Sequence, residues 1–170
     1  PTMWKAISGI MANKIMKHIK ENNILCHEQK GTRPRARGAK DQLAIDRTIT
    51  NDCRKRHTNL AMAWIDYQKA FDSVPHSWVM KCLELYKINN TIQKLIKRSM
   101  VKWKTMLKCR KEEFGEILIK RGLYQGDALS PLLFCMAINP LSQILHKTGK
   151  EYVLQSGKKI NHLQYCTWMI

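Results

Sequence analysis

Residues 63–74 read AWIDYQKAFDSV and residues 121–134 read RGLYQGDALSPLLF, and these two strings decide the fold. The first grows out of NLAMAWI (59–65), a short and almost wholly apolar run that stops on Asp66. Such a run is expected to be a buried strand. A carboxylate at the end of a strand escapes the cost of burial and can face a cleft, where a hard cation such as Mg²⁺ collects oxygen ligands. Taken alone, an aspartate of this kind more often caps an element or sits in water. Phe71 and Asp72 follow in the order D-x-x-x-A-F-D. In the second string Gly126 allows close approach of backbone or ligand, and the Gln125 amide can both donate and accept. Asp127 and Ser130 are expected to satisfy the free N–H groups of the next helix, with Pro131 at its first position. Read blandly, that string is a loop followed by a capped helix.

Working outward, residues 3–24 place Ile7, Ile10, Met11, Ile15 and Ile19 at helical spacing, with Lys14, Lys17 and Lys20 between them. This predicts an amphipathic helix with one basic face. HEQKGTRPRARGAK (27–40) holds two glycines, a proline and the arginines Arg33, Arg35 and Arg37, so it is expected to be a loop. Asp41 is expected to cap a helix that buries Leu43, Ala44, Ile45, Thr48 and Ile49. Further helices are expected over 76–86 and 91–100, a hairpin pairing 101–107 with 116–119 across Gly115, and a helix from Ser130 to about His146 with a bend at Pro140. A last hairpin, 152–155 with 159–164, should turn at Ser156 and Gly157.

The chain has 170 residues, 44% of them hydrophobic, which suits one folding unit with room for two lobes. It opens on Pro1 and closes on an apolar stretch without a cap, so both ends read as cut. Thirty Lys and Arg face thirteen Asp and Glu, for a net charge of +17. Residues 1–122 hold 26 of the cations and 11 of the anions. An imbalance of this size points to a polyanionic partner, nucleic acid first, and the loop arginines 33, 35 and 37 are the expected contacts. Six cysteines stand at least 26 residues apart, which excludes a C-x-x-C zinc pair and suggests free thiols in a reducing compartment. No apolar run is long enough to span a bilayer, and no signal peptide opens the chain, so an intracellular place, nucleus or cytoplasm, is expected.

Together, in this order, with Asp66 and Gln125 59 positions apart, the two strings resemble motifs A and B of reverse transcriptases. AFDSVPHSW and QGDALSPLLF resemble the wording of the non-LTR retrotransposon group, and HEQKG and AKDQL resemble that family's fingers region. The resemblance implies an α+β polymerase right hand: partial helical fingers over 1–58, then a palm over 59–170 with a small antiparallel sheet backed by helices, cut near motif C and without a thumb. It implies RNA-templated DNA synthesis with an RNA template, a DNA primer, deoxynucleoside triphosphates and Mg²⁺. Asp66 would hold both catalytic ions, with the Tyr67 carbonyl beside it. Phe71 would be the gate that rejects a ribose 2′-OH, and Gln125 and Gly126 would meet the incoming nucleotide and its template base. In-line attack by a primer 3′-OH calls for two cations about 3.5–4 Å apart, and several carboxylates must hold them.

At motif C the sequence departs from the family, which places two aspartates after a tyrosine and one variable residue. Here the string is Tyr165, Cys166, Thr167, Trp168. Thr167 brings a neutral hydroxyl and Trp168 no metal ligand. The resemblance also implies a Lys and an R-P-I string just upstream of the opening segment, and they are expected to be absent here. The expectation is a chain that descends from a polymerase and does not polymerise. The alternatives are a non-catalytic basic remnant that binds nucleic acid through phosphates, and a basic helical module of unrelated fold, which would require both motif strings to be accidents.

Overall fold

The computed structural model describes residues 2–27, 39–109, 112–148 and 151–161. The described elements run, in chain order, α1 (Thr2–Glu21), α2 (Ala39–Arg56), α3 (Ala70–Ser73), α4 (His76–Leu85), α5 (Asn90–Val101), β1 (Lys104–Cys109), β2 (Glu112–Leu118), α6 (Ser130–His146), β3 (Glu151–Val153) and β4 (Lys159–Asn161). The chain is thus a mixture of helices and small antiparallel sheets. It divides into two compact units: Pro1–Ile24 with Gln68–Ala137, and Leu25–Tyr67 with Ile138–Ile170.

In the first unit the core of α1 is Ser8, Met11, Ile15 and Ile19. These positions share one helical face. Ile7 and Ile10, expected to point inward, are exposed. The apolar stripe simply starts one residue out of phase with them. His18 Nε2 donates to the Tyr86 carbonyl at 2.9 Å and ties α1 to the end of α4. α4 and α5 bury Val79, Cys82, Leu83, Ile96 and Met100. The Asn89 side chain accepts from the Thr91 amide at 2.8 Å and caps the start of α5.

The β1–β2 hairpin is antiparallel, as expected, but Gly115 is not its turn. It lies inside β2 opposite Leu107, where the register shifts before Lys108 pairs with Glu113. An extra residue on one strand makes a bulge, and the φ of +146° at Gly115 suits the residue without a side chain. The first part of α6, from Leu132 to Ala137, is buried without a break.

In the second unit α2 begins at Ala39, so Asp41 sits within its first turn rather than ahead of it. Gln42, Ile49 and Cys53 are buried, while Leu43, Ala44 and Thr48 are exposed. The inward face is rotated from the expected one, because the residues it meets lie far away in sequence. Asn139 of α6 is fully buried and its Oδ1 accepts from the Cys26 amide at 2.9 Å. Pro140 lies inside the helix, and α6 ends at His146 as expected.

The β3–β4 hairpin forms around Ser156 and Gly157, whose φ of +79° favours glycine. A small network fastens it to α2. Tyr152 donates to Asp52 Oδ2 at 2.8 Å, the Cys53 thiol lies 2.9 Å from the Tyr152 hydroxyl, and the Gln155 amide donates to Asp52 Oδ1 at 3.2 Å. These bonds, the Tyr152 one first, hold the Asp52 carboxyl below its ordinary value. The same network, led by the bond with Cys53, raises the Tyr152 phenol.

The expected strand over 59–65 is not there. Residues 58–67 form no strand, and Trp64 and Ile65 are 77% and 61% exposed. A fully apolar strand is stable only when a neighbour completes its hydrogen bonds. Among the described residues no strand pairs with this segment.

Candidate nucleotide and template site

The first string folds into a sharp bend. Lys69 takes a left-handed φ of +50°, the short α3 follows, and Val74 resumes an extended path into Pro75. This bend meets the second string along its backbone. The Gly122 amide donates to the Val74 carbonyl at 2.8 Å, and the Leu123 amide to the Phe71 carbonyl at 3.0 Å. Pro75 and Arg121 make an isolated antiparallel bridge beside them. The approach is close enough to require glycine: a Cβ built on Gly122 would stand 3.0 Å from the Asp72 Cα, at a φ of +95°.

The Phe71 ring stacks on Phe134 of α6 with centroids 5.0 Å apart and planes 25° apart. Phe134 is buried and Phe71 half-buried, so the ring of the proposed gate is anchored against α6. Gln125 and Gly126 are both exposed at the turn before α6, and Gly126 has a φ of +81°. A column of rings supports that turn. Trp103 packs against Tyr124 at 4.4 Å and edge-on against His76 at 5.2 Å, and His76 Nε2 donates to the Gly122 carbonyl at 2.9 Å. Trp78 donates to the Ala137 carbonyl at 2.8 Å from the same helix as His76.

The expected helix cap at the second string is replaced by something else. Asp127 is buried, and its Oδ2 accepts from Trp4 Nε1 of α1 at 3.3 Å. Among the described residues its Oδ1 and the Ser130 hydroxyl find no hydrogen-bond partner. Asp127 therefore links two elements 123 residues apart instead of serving the N–H groups next to it. Sequence alone does not mark Gly122, Trp4, His76 and Trp103 as site residues. Only Gly122 left a local signal, a glycine directly ahead of the loop.

Asp66 and Tyr67 belong to the other unit. Asp66 was expected to end a strand; it lies instead in the exposed, unpaired segment. Tyr67 is half-buried, and that burial pushes its phenol up. Ahead of them Leu60, Met62 and Trp64 face Leu43, Asp46, Arg47 and Thr50 of α2 across an open cleft of about 710 Å³. The structure thus joins Phe71 to the loop that holds Gln125 and Gly126, and describes Asp66 with α2. Arg33, Arg35, Arg37 and the Tyr165 to Trp168 string lie outside the described residues.

A pair of Mg²⁺ ions needs many oxygen ligands, several of them carboxylates. Asp66 and the Tyr67 carbonyl supply too few, and among the described residues no three His, Cys, Asp or Glu side chains gather as a metal site. Among the described residues the donor set does not fit a two-metal centre. Also among the described residues, no helix is long and apolar enough to cross a membrane.

Comparison with known proteins places nearly the whole chain in one family. The family described as reverse transcriptase (RNA-dependent DNA polymerase) matches residues 1–166. The chain is similar to the "Retrovirus-related Pol polyprotein from type-1 retrotransposable element R2" of Nasonia vitripennis, 30% identical over 173 aligned positions that cover 97% of the chain and 16% of the relative. A Popillia japonica protein of the same description is 30% identical over 109 positions, covering 64% of the chain and 15% of the relative. "Transposon TX1 uncharacterized 149 kDa protein" of Xenopus laevis is 26% identical over 115 positions, 68% of the chain and 9% of the relative. The chain spans at most 16% of the length of these relatives. With the match running through both motif strings and nearly end to end, the chain belongs to the reverse transcriptase (RNA-dependent DNA polymerase) family, as a reverse transcriptase domain of a non-LTR retrotransposon.

Proposed function

We propose that this domain descends from an RNA-templated DNA polymerase, keeps its grip on nucleic acid, and has lost the ability to extend a primer. The observation that carries the reading is Thr167 and Trp168 in place of the two motif C aspartates, while Asp66, Phe71, Gln125 and Gly126 all remain. In this reading residues 1–58 are part of the fingers and 59–170 the palm. Phe71 excludes the ribose 2′-OH, and its stacking on Phe134 would keep the ring from swinging away. Gln125 and Gly126 meet the nucleotide and template base. Asp66 and the Tyr67 carbonyl remain as ligands of the former Mg²⁺ pair. Arg33, Arg35 and Arg37 bind phosphates of the RNA template and DNA primer, which a net charge of +17 favours. Among the described residues Cys26, Cys53, Cys82, Cys109 and Cys135 form no disulfide with one another, in keeping with work inside the cell, in nucleus or cytoplasm.

Primer extension on an RNA template, with Mg²⁺ or Mn²⁺ and deoxynucleoside triphosphates, tests this. The expected result is incorporation no higher than that of Asp66→Ala, together with binding to primer-template that weakens as salt rises. Incorporation above the Asp66→Ala level would overturn the inactivity, and binding that ignores salt would overturn the retained grip.

A further inference from the structure

From residue 87 to residue 111 the sequence holds nine Lys and Arg and not one Asp or Glu. α5 lies in the middle of this stretch, and its inward face is settled by Ile96 and Met100, both buried. Lys94, Lys97, Arg98 and Lys102 recur at spacings of three and four residues, so they share the opposite face. All four are exposed, and among the described residues none is in an ion pair. By contrast Lys104 and Lys108 on the following strand are paired with Glu116 and Glu113. The helix therefore carries an unneutralised stripe about 12 Å long, at 1.5 Å of rise per residue. Repulsion among four like charges costs stability unless a partner offsets it.

The stripe also leads somewhere. Lys102 is followed by Trp103, which lies against Tyr124 at 4.4 Å, next to Gln125. Its far end thus abuts the ring column that supports the nucleotide loop.

We propose that the outer face of α5 is a second nucleic-acid contact, a rail for the sugar–phosphate backbone that runs up to the loop of Gln125. It rests on the reading above that this domain binds nucleic acid, and it adds a surface that the loop arginines do not include. A regular row of long cations fits a polymer with evenly spaced phosphates. A membrane fits less well, because the apolar face that would have to insert, Ile96 and Met100, is already committed to the core.

The test uses the whole chain and a DNA duplex of about 20 base pairs, with affinity measured across a salt series. Each phosphate contact contributes about −0.9 to the slope of log K against log[salt], so Lys94→Gln, Lys97→Gln, Arg98→Gln and Lys102→Gln together should flatten the slope by about 3 to 4. Replacing Lys5, Lys14, Lys17 and Lys20 of α1 by glutamine removes the same charge and should flatten it by less than about 1. In the unaltered chain, bound duplex should protect Lys94, Lys97 and Lys102 from acetylation, a readout that does not depend on the variant folding. Equal flattening by both sets, or acetylation unaffected by duplex, would overturn the proposal. So would polyglutamate or phosphatidylserine vesicles binding this face as tightly as the duplex. If the unaltered chain binds duplex in a salt-dependent way and the α5 variant keeps its slope, the rail is wrong and the parent reading stands. If the unaltered chain binds no duplex at all, both fall.

Discussion

Gly122 and Asp72 approach so closely that a Cβ on the glycine would lie 3.0 Å from the Asp72 Cα and 3.2 Å from its carbonyl oxygen. The contact belongs to backbone on both sides, so no rotamer change can relieve it. It is where the string 63–74 touches the string 121–134.

Gly122→Ala should therefore destabilise the domain by about 1–3 kcal/mol, because it combines a left-handed φ with a backbone clash. Urea unfolding followed by circular dichroism measures this. A loss under about 0.5 kcal/mol, the scatter of ordinary surface changes, would show that the two backbones can separate freely.

The Asp52 carboxyl, held below its ordinary 3.8 chiefly by the Tyr152 hydrogen bond, stabilises the fastening of the β3–β4 hairpin above that pH. As a depressed acid it gives its full contribution above the unfolded value and loses it as pH falls through the lower folded value. Hydrogen exchange of the Leu154 and Gly157 amides, both bonded within the turn, should speed up several-fold as pH drops below 3.8, after correction for intrinsic rates. Asp52→Asn should exchange quickly at every pH and remove that dependence.

Burial pushes the Cys82 thiol up from 9.0 to about 11. A raised acid works in the opposite sense: its contribution is complete below pH 9 and disappears as pH rises toward 11. The urea midpoint should fall across that window, and less so in Cys82→Ser. At neutral pH iodoacetamide should label exposed Cys109 first and reach buried Cys82 and Cys135 only on unfolding.

Thr167→Asp with Trp168→Asp, in a chain extended by the upstream segment and thumb of family polymerases, should restore deoxynucleotide incorporation. The two carboxylates would complete an oxygen set with Asp66 for paired Mg²⁺ ions. In that protein Phe71→Ala should admit ribonucleotides, since removing the ring removes the clash with the 2′-OH. Unchanged sugar selection would show that Phe71 is not the gate, and a folded, template-binding, inactive protein would mean the loss extends past motif C.

The order of elements and the family are legible without any tertiary information. Helices α1, α4, α5 and α6 were legible because each bond closes within four residues and the 3.6-residue period leaves a local trace. Both hairpins were legible for the same reason, since their partners lie only a turn away. The two motif strings were enough to place the chain among reverse transcriptases.

Tertiary structure decided what depends on distant partners. Asp127 looked like a helix cap by its neighbours, yet its bond goes to Trp4, whose approach across 123 residues no local pattern records. The apolar run 59–65 looked like a buried strand, but β structure needs another strand to complete its hydrogen bonds, and Trp64 stands in the open instead. The side of α2 that turns inward was likewise set by where β3–β4 fastens through Asp52 and Cys53. A periodic pattern says that a helix has an apolar face; which rotation is chosen depends on what that face meets.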